Sequence, residues 1–257
     1  MKALVLLSGG MDSCTVASLA AKEHGPGNVM ALSFKYPSRH NERELEAAEA
    51  ISNSLFLELH EILELANVFK GAKSSLLKSG QLEMPHKTYQ ELAETEGPSP
   101  TVVPFRNGVM LSMAVAIAAS RDIPNVYIAV HGEDAHNFAY PDTTPEFIGA
   151  FTAAAYIGTY HQVHIIAPFQ WMTKAQALAT GLGMDPRPPY NLTWSCYDPV
   201  LVDEADPSVG LREFWIACGK CPTCSERIEA FRLNGLIDPI EYATDVEWGN
   251  CVPYGVT

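Results

Sequence analysis

Positive charge is scarce in this chain of 257 residues: 17 Lys and Arg stand against 30 Asp and Glu, a formal charge of −13. Extended nucleic-acid surfaces are built from clustered cations that meet phosphates, so that class is disfavoured. A small anionic ligand held by a few local cations is still compatible, and the cations beside motifs gain weight accordingly. No run of eighteen apolar residues occurs, so no membrane-spanning helix is expected. The first residues read straight into a strand, without a charged leader or cleavage site, so we expect no secretory signal and a cytoplasmic location. The six cysteines are too few and too clustered for a disulfide scaffold. There is no internal repeat and no low-complexity tract. What remains, 47% hydrophobic and 18% charged, describes a globular protein with a substantial core. The length suits one large domain, or one domain with a small appendage.

Apolar, β-rich runs at residues 3–7, 29–34, 126–130 and 163–167 alternate with helical patterns at 13–23, 42–54, 108–120, 145–160 and 174–180. Continuous rather than alternating apolar strands, interleaved with helices, predict an α/β fold whose doubly wound, mostly parallel sheet is covered on both faces. Ligands of such sheets sit at the carboxyl ends of the strands. Residues 71–101 mix Ser, Lys, Gln, Glu, Gly and Pro and read as a long, mobile surface excursion. A second, acidic excursion is expected at 198–209.

Two phosphate-binding fingerprints are missing: no Gly-Lys-Ser/Thr follows the first strand, and Gly-x-Gly-x-x-Gly is absent. In their place, Ser8-Gly9-Gly10-Met11-Asp12-Ser13 joins the first strand to an alanine-rich helix. A strand, a glycine turn and a helix start in that order make a pocket of backbone N–H groups suited to an anion. The plainer alternative is a tight turn with Asp12 or Ser13 as N-cap. Ser-Gly-Gly-x-Asp-Ser resembles the pyrophosphate loop of the ATP pyrophosphatases, which cleave ATP between the α and β phosphates. The loop supplies no positive charge beyond its amides. Asp12 is a candidate ligand for Mg²⁺, and Lys174 and Arg106 are candidates for direct charge on the phosphates. Thr173-Lys174-Ala175-Gln176 also fits a capping box, which accounts for Thr173 and Gln176 but not for Lys174. Asn107 reads equally as an N-cap.

Cys196, Cys218, Cys221 and Cys224 have the spacing of a closed tetrahedral zinc site, two x₂ gaps and one remote ligand. An iron–sulfur cluster is the competing reading, but no further cysteine follows Cys224 closely before a proline. With four thiolates and no open position, the metal is expected to be structural. Cys251 and Cys14 read as packing or surface residues. Tyr140-Pro141-Asp142 with Glu146, and Thr193-Trp194, join aromatics to carboxylates. A purine-like ring would stack on Trp194, Tyr140 or Phe138 while a carboxylate accepts from its N–H edge. The plainer alternative is a turn at Pro141 with Asp142 as a cap. His131, His136, His161 and His164 show no ligand spacing and read as structural or surface residues.

Taken in order, the loop, Phe105-Arg106-Asn107, Tyr140-Pro141-Asp142 with Glu146, Thr173-Lys174, Trp194-Ser195-Cys196 and the Cys218-x₂-Cys221-x₂-Cys224 run with Arg227 and Phe231 resemble the 7-cyano-7-deazaguanine synthase family, over about residues 1–243. The resemblance implies an adenine nucleotide α-hydrolase-like domain at 1–190 and a zinc-binding region at 191–257 packed on it. It implies an ATP-dependent ligase that turns 7-carboxy-7-deazaguanine and ammonia into the nitrile through an acyl-adenylate and an amide. Carried over by position, the nucleotide set is Leu7, Ser8, Gly9, Gly10, Asp12, Ser13, Cys14, Leu32 and Phe34. The catalytic set is Asp12, Arg106, Lys174, Arg39 and His40, and the deazapurine set is Arg106, Asn107, Tyr140, Asp142, Glu146 and Trp194. The expected cofactors are ATP, Mg²⁺ and structural Zn²⁺, and the expected assembly is a homodimer. The family's Tyr-Gly-Gln-Arg-His is here Tyr36-Pro37-Ser38-Arg39-His40, its Pro-Asp-Cys is Pro141-Asp142-Thr143, and the segment 198–217 is longer than usual. These departures motivate a rival in which the same acid is activated but the product is the amide, or a conjugate with an amine on a protein or other macromolecule. A tRNA thiolation or lysidine-type enzyme and a nucleotide-binding regulator without turnover are the remaining alternatives.

Overall fold

A computed structural model describes residues 1–80, 82–87, 91–92, 99–133, 135, 139–206 and 210–255, with backbone alone at 203–206 and 210–213. Its core is a five-stranded parallel sheet in the order β3-β2-β1-β4-β5, from β1 (Ala3–Leu6), β2 (Val29–Lys35), β3 (Leu59–Glu64), β4 (Asn125–Tyr127) and β5 (His164–Ile166). Side chains alternate across it. Leu4, Met30 and Leu32 point to one face, under α3 (Arg106–Ser120) and α4 (Pro145–Gly158). Ala3, Val5, Val29 and Ala31 point to the other, under α1 (Met11–His24), α2 (Asn41–Ser54) and α5 (Lys174–Leu182). Both faces are therefore buried, which is why β1 and β2 are apolar without alternation. Strand β3 is the exception: at the sheet edge and partly exposed, Leu-His-Glu-Ile-Leu-Glu carries charge and escaped the sequence reading.

Within the expected acidic excursion at 198–209, residues 200–206 instead form a strand, β6 (Val200–Asp206), paired antiparallel with β7 (Gly210–Ile216), and residues 207–209 lie outside the described residues. Hairpin pairing satisfies its backbone while the ribbon stays outside the sheet. Helix α6 (Pro222–Leu233), absent from the sequence reading because its first turn is the cysteine run, follows directly. It packs on α5 through a small cluster of Met11, Leu178, Tyr190, Ala230 and Phe231. A two-stranded parallel pair, β8 (Leu236–Ile237) with β9 (Val252–Pro253), completes the described fold. Part of the 71–101 segment is not superficial: Ser74, Ser75, Leu76 and Leu77 are buried, and Leu77 bridges Ser38.

The chain leaves β1 towards β2, then returns to β4 on the opposite side. That reversal opens a crevice outside the carboxyl ends of β1 and β4.

Candidate active site

A cleft of about 210 Å³ occupies this crevice. The first wall is residues 8–13. Gly10 is the N-cap of α1 and makes no side-chain cap, so the first helical amides are left facing the cleft. The Ser13 hydroxyl braces the turn, donating to the Gly10 carbonyl (3.0 Å) and accepting from the Ser8 amide (3.2 Å). Gly9 has φ +88°, and a Cβ there would lie 2.2 Å from the Glu44 carbonyl oxygen. Only glycine lets the turn approach α2 this closely.

Lys174 enters from the start of α5, whose capping box of Thr173 and Gln176 is as expected. Its Nζ lies 2.7 Å from Glu226 Oε2 and 3.5 Å from Asp12 Oδ2, so cation and carboxylates meet directly beside the amide-lined turn. His131, buried four residues beyond β4, has Nε2 3.8 Å from Asp12 Oδ2. Asp12 Oδ1 is buried without a hydrogen-bond partner, an oxygen ligand suited to a hard divalent cation.

The opposite wall is built from the end of β2 and the start of α3. Phe105 takes a left-handed backbone (φ 54°) as the N-cap of α3, and its ring folds over Gly108, where a Cβ would come within 2.3 Å of it. This sharp entry sends Arg106 into the cleft, where its Nη1 donates to the Tyr36 hydroxyl at 3.3 Å. Asn107 lines the cleft beside it, held by Asp142, which accepts from the Asn107 amide (2.8 Å) and side chain (3.3 Å). Tyr140, hydrogen-bonded to Thr101, and Trp194 complete this side. Glu44 also lines it, and burial pushes its carboxyl up to about 7 although Arg106 and the Asn41 amide act in the opposite direction.

The expected residues divide cleanly by position. Leu7, Ser8, Gly10, Asp12, Ser13, Leu32, Phe34, Arg106, Asn107, Tyr140, Lys174 and Trp194 line one cavity. Others lie outside its wall. Cys14 is turned into the core beneath α1, and burial pushes its thiol up to about 12. The Gly9 backbone faces α2 instead. Arg39 is exposed and donates to the carbonyls of Gly80 and Leu82. His40 is buried behind the wall against Tyr197, and burial, aided by Arg106, pulls its pKa down to about 3. Glu146 is exposed on the first turn of α4, and Asp142 reaches the cleft only through Asn107. Phe138 and His136 lie outside the described residues. Tyr36, Glu44 and Glu226 also line the cleft, as does His131, which shows no ligand spacing in the sequence but follows β4 on the side of the sheet where ligands collect.

Behind Trp194, the four expected cysteines converge. The sulfurs of Cys196, Cys218, Cys221 and Cys224 all lie within 4.8 Å of one another, buried. Cys221 is the N-cap of α6 and Cys224 sits on its first turn, while Cys196 and Cys218 come from flanking loops. Amides of Asp198 and Cys218 point at Cys196 Sγ (3.4 and 3.2 Å), and that of Cys221 at Cys218 Sγ (3.3 Å). Converging thiols with N–H donors aimed at sulfur suit thiolates around a shared cation, and four sulfurs with no fifth donor among the described residues suit zinc. The cluster is joined to the cleft. The Trp194 amide donates to the Gly9 carbonyl at 2.8 Å. The fully buried Arg227 is clamped by Asp238 (2.6 and 2.9 Å) and donates to Thr193.

The family model described as queuosine biosynthesis protein QueC matches residues 2–235. A protein of Pseudoalteromonas atlantica named 7-cyano-7-deazaguanine synthase is 40% identical over 243 residues, 94% of this chain and 98% of that protein. Proteins of the same name from Marinomonas sp. and Methanospirillum hungatei are each 38% identical, over 94% of this chain and 98% and 100% of theirs. No helix among the described residues is long and apolar enough to cross a membrane.

Proposed function

The chain belongs to the QueC family, and on that premise we propose that it is a cytoplasmic ATP-dependent ligase making 7-cyano-7-deazaguanine from 7-carboxy-7-deazaguanine and ammonia. The observation that carries this reading is the meeting of an amide-lined turn, Asp12, Lys174 and Arg106 in one cleft. A carboxylate is a poor electrophile until its oxygen becomes part of a leaving group. Attack on the α phosphate of ATP achieves that, provided the departing pyrophosphate is held and its charge offset. The uncapped amides at the start of α1, Met11 to Ser13, bind the phosphates, and Lys174 shifts from Glu226 towards them. Arg106 holds the acid's oxygens in line with the α phosphate. Asp12 would hold Mg²⁺, which when bound neutralises phosphate charge. Leu32 and Phe34 face adenine, while Trp194 and Tyr140 border the deazapurine, whose polar edge meets Asn107 as oriented by Asp142.

Cys196, Cys218, Cys221 and Cys224 would hold Zn²⁺, which when bound cross-links the loop carrying Trp194 to α6. A homodimer is supported by the outer face of α4: Gly149, Ala150, Ala153, Ala154 and Ile157 are exposed, and no charged residue occurs from Phe147 to Gly158.

The rival product loses one of its motives, because Pro37 and Ser38 do not line the cleft and Ser38 instead bridges Leu77. Incubation with ATP, the acid and ammonium, followed by product mass, is the deciding experiment. The expected outcome is the nitrile, with AMP and pyrophosphate released. Asp12→Ala should lower pyrophosphate release at least ~100-fold without changing the fold. An amide or a conjugate as the end product would reject nitrile synthesis, and an active Asp12→Ala enzyme would remove Asp12 from the chemistry.

A further inference from the structure

Among the described residues, three carboxylates line the cleft: Asp12, Glu226 and Glu44. The first two face Lys174 at the phosphate end. Glu44 stands apart from them, on the first turn of α2 and on the same wall as Arg106. Its position is fixed by the turn before it. Asn41 accepts from the Tyr36 amide and donates to the Phe34 carbonyl, both at 3.0 Å, which locks the exit of β2 to the start of α2. The Glu44 side chain is 17% exposed, on the cleft side. The groups facing it are Arg106 from α3, Tyr36 from the end of β2, and His40 one turn back, whose Nε2 is 3.5 Å from Glu44 Oε2. His40 is neutral near pH 7, so it adds no counter-charge. Burial thus outweighs Arg106, and the carboxyl exchanges its proton close to neutrality.

The reaction proposed above, on which this inference rests, makes an unusual demand on one atom. Ammonium is the prevailing form of ammonia near neutral pH, and a nitrile nitrogen carries no hydrogen. Every proton of the ammonium must therefore leave a single nitrogen inside the cleft. We propose that Glu44 is the general base that removes them, the catalytic residue for both amide and nitrile formation. In the first stage Glu44 takes a proton from ammonium and the freed lone pair attacks the acyl carbon. The C–O bond to AMP then breaks, with its electrons going to the phosphate oxygen, and a second proton leaves the new amide nitrogen. In the second stage the amide oxygen displaces pyrophosphate from another ATP, and one N–H proton departs as the C=N bond forms. Loss of the last N–H proton drives out AMP and leaves C≡N. Glu44 returns each proton to solvent, and nothing is oxidised or reduced.

The test separates activation from nitrogen chemistry within one turnover. Glu44→Gln keeps the size and removes the base, and Glu44→Asp restores a carboxyl one bond shorter. Pyrophosphate released with the acid alone, and amide and nitrile formed after adding ammonium chloride, are followed from pH 6 to 9. In Glu44→Gln the amount of amide per pyrophosphate released in a given time should fall ~100-fold or more, with the rise in rate near pH 7 abolished. Glu44→Asp should recover that rise in part. Two results overturn the inference: an unchanged amide-to-pyrophosphate ratio, or an equal loss in both steps, which would make Glu44 a positioning residue for Arg106. If the unmodified enzyme releases no pyrophosphate with the acid, the proposed activity falls, and this role falls with it.

Discussion

His40 and Glu44 sit one helical turn apart, and burial acts on them with opposite sign. The histidine is kept neutral by burial, so its pKa of about 3 lies far below the ordinary 6.5. Between these values the unfolded chain binds a proton at this position that the folded chain refuses. The stability that His40 contributes is therefore complete above pH 6.5 and drains away as pH falls towards 3. His40→Phe, which keeps a ring against Tyr197, should reduce the loss on acidification. At pH 5 the difference between variant and parent, each referred to its stability at pH 7.5, should be about 2 kcal/mol, as chemical denaturation would measure. Parallel pH profiles would show that His40 does not carry this linkage. At this scale the sequence was legible where a motif fixes both residue type and backbone, as for Asp12, Lys174 and the cysteines. Arg39 and His40 share a motif with the cleft yet point away from it, because the turn at residues 36–41 rotates successive side chains to different sides. Glu44 belongs to no recognised pattern, and the cation that faces it, Arg106, comes from α3, distant in sequence.

At the scale of elements, the turn between β1 and α1 has no slack. Gly9 lies against the carbonyl of Glu44 with a backbone that an L side chain tolerates poorly. Gly9→Ala should cost about 1–3 kcal/mol from backbone strain alone and drive the turn away from α2. The expected readouts are a lower Tm and at least ~100-fold slower pyrophosphate release. A variant as stable and as fast as its parent would show that the close approach is dispensable. Alternation of apolar runs with helices made four of the five sheet strands and five of the helices readable, since burial writes itself as composition. Strand β3 at the edge, the β6–β7 hairpin and α6 did not declare themselves. An exposed edge needs no apolar run, a polar ribbon resembles a loop, and the cysteine run displaced the amphipathic signal at the start of α6.

For the molecule as a whole, the cysteine cluster stands in for a second core. The region beyond residue 190 contributes Trp194 and Glu226 to the cleft and packs on α1 and α5 through compact contacts of Tyr190 and Phe231 with Met11 and Leu178. Cys221→Ser should lose one metal ion per chain by elemental analysis and lower Tm by more than ~10 °C, because a structural zinc is part of the folding free energy. Iron in the parent protein, or an unaltered Tm in the variant, would overturn the zinc assignment. Sequence spacing alone located this cluster. The resemblance placed Trp194 beside the substrate, whereas the contribution of Glu226 to the cleft was not readable, because it depends on how α6 packs against α5.

The hydrogen bond from Trp194 to Gly9 makes the turn at residues 8–13 and the stretch before Cys196 one mechanical unit. Because it runs between main-chain groups, it holds whatever side chains the two positions carry, and a displacement of either segment is passed to the other.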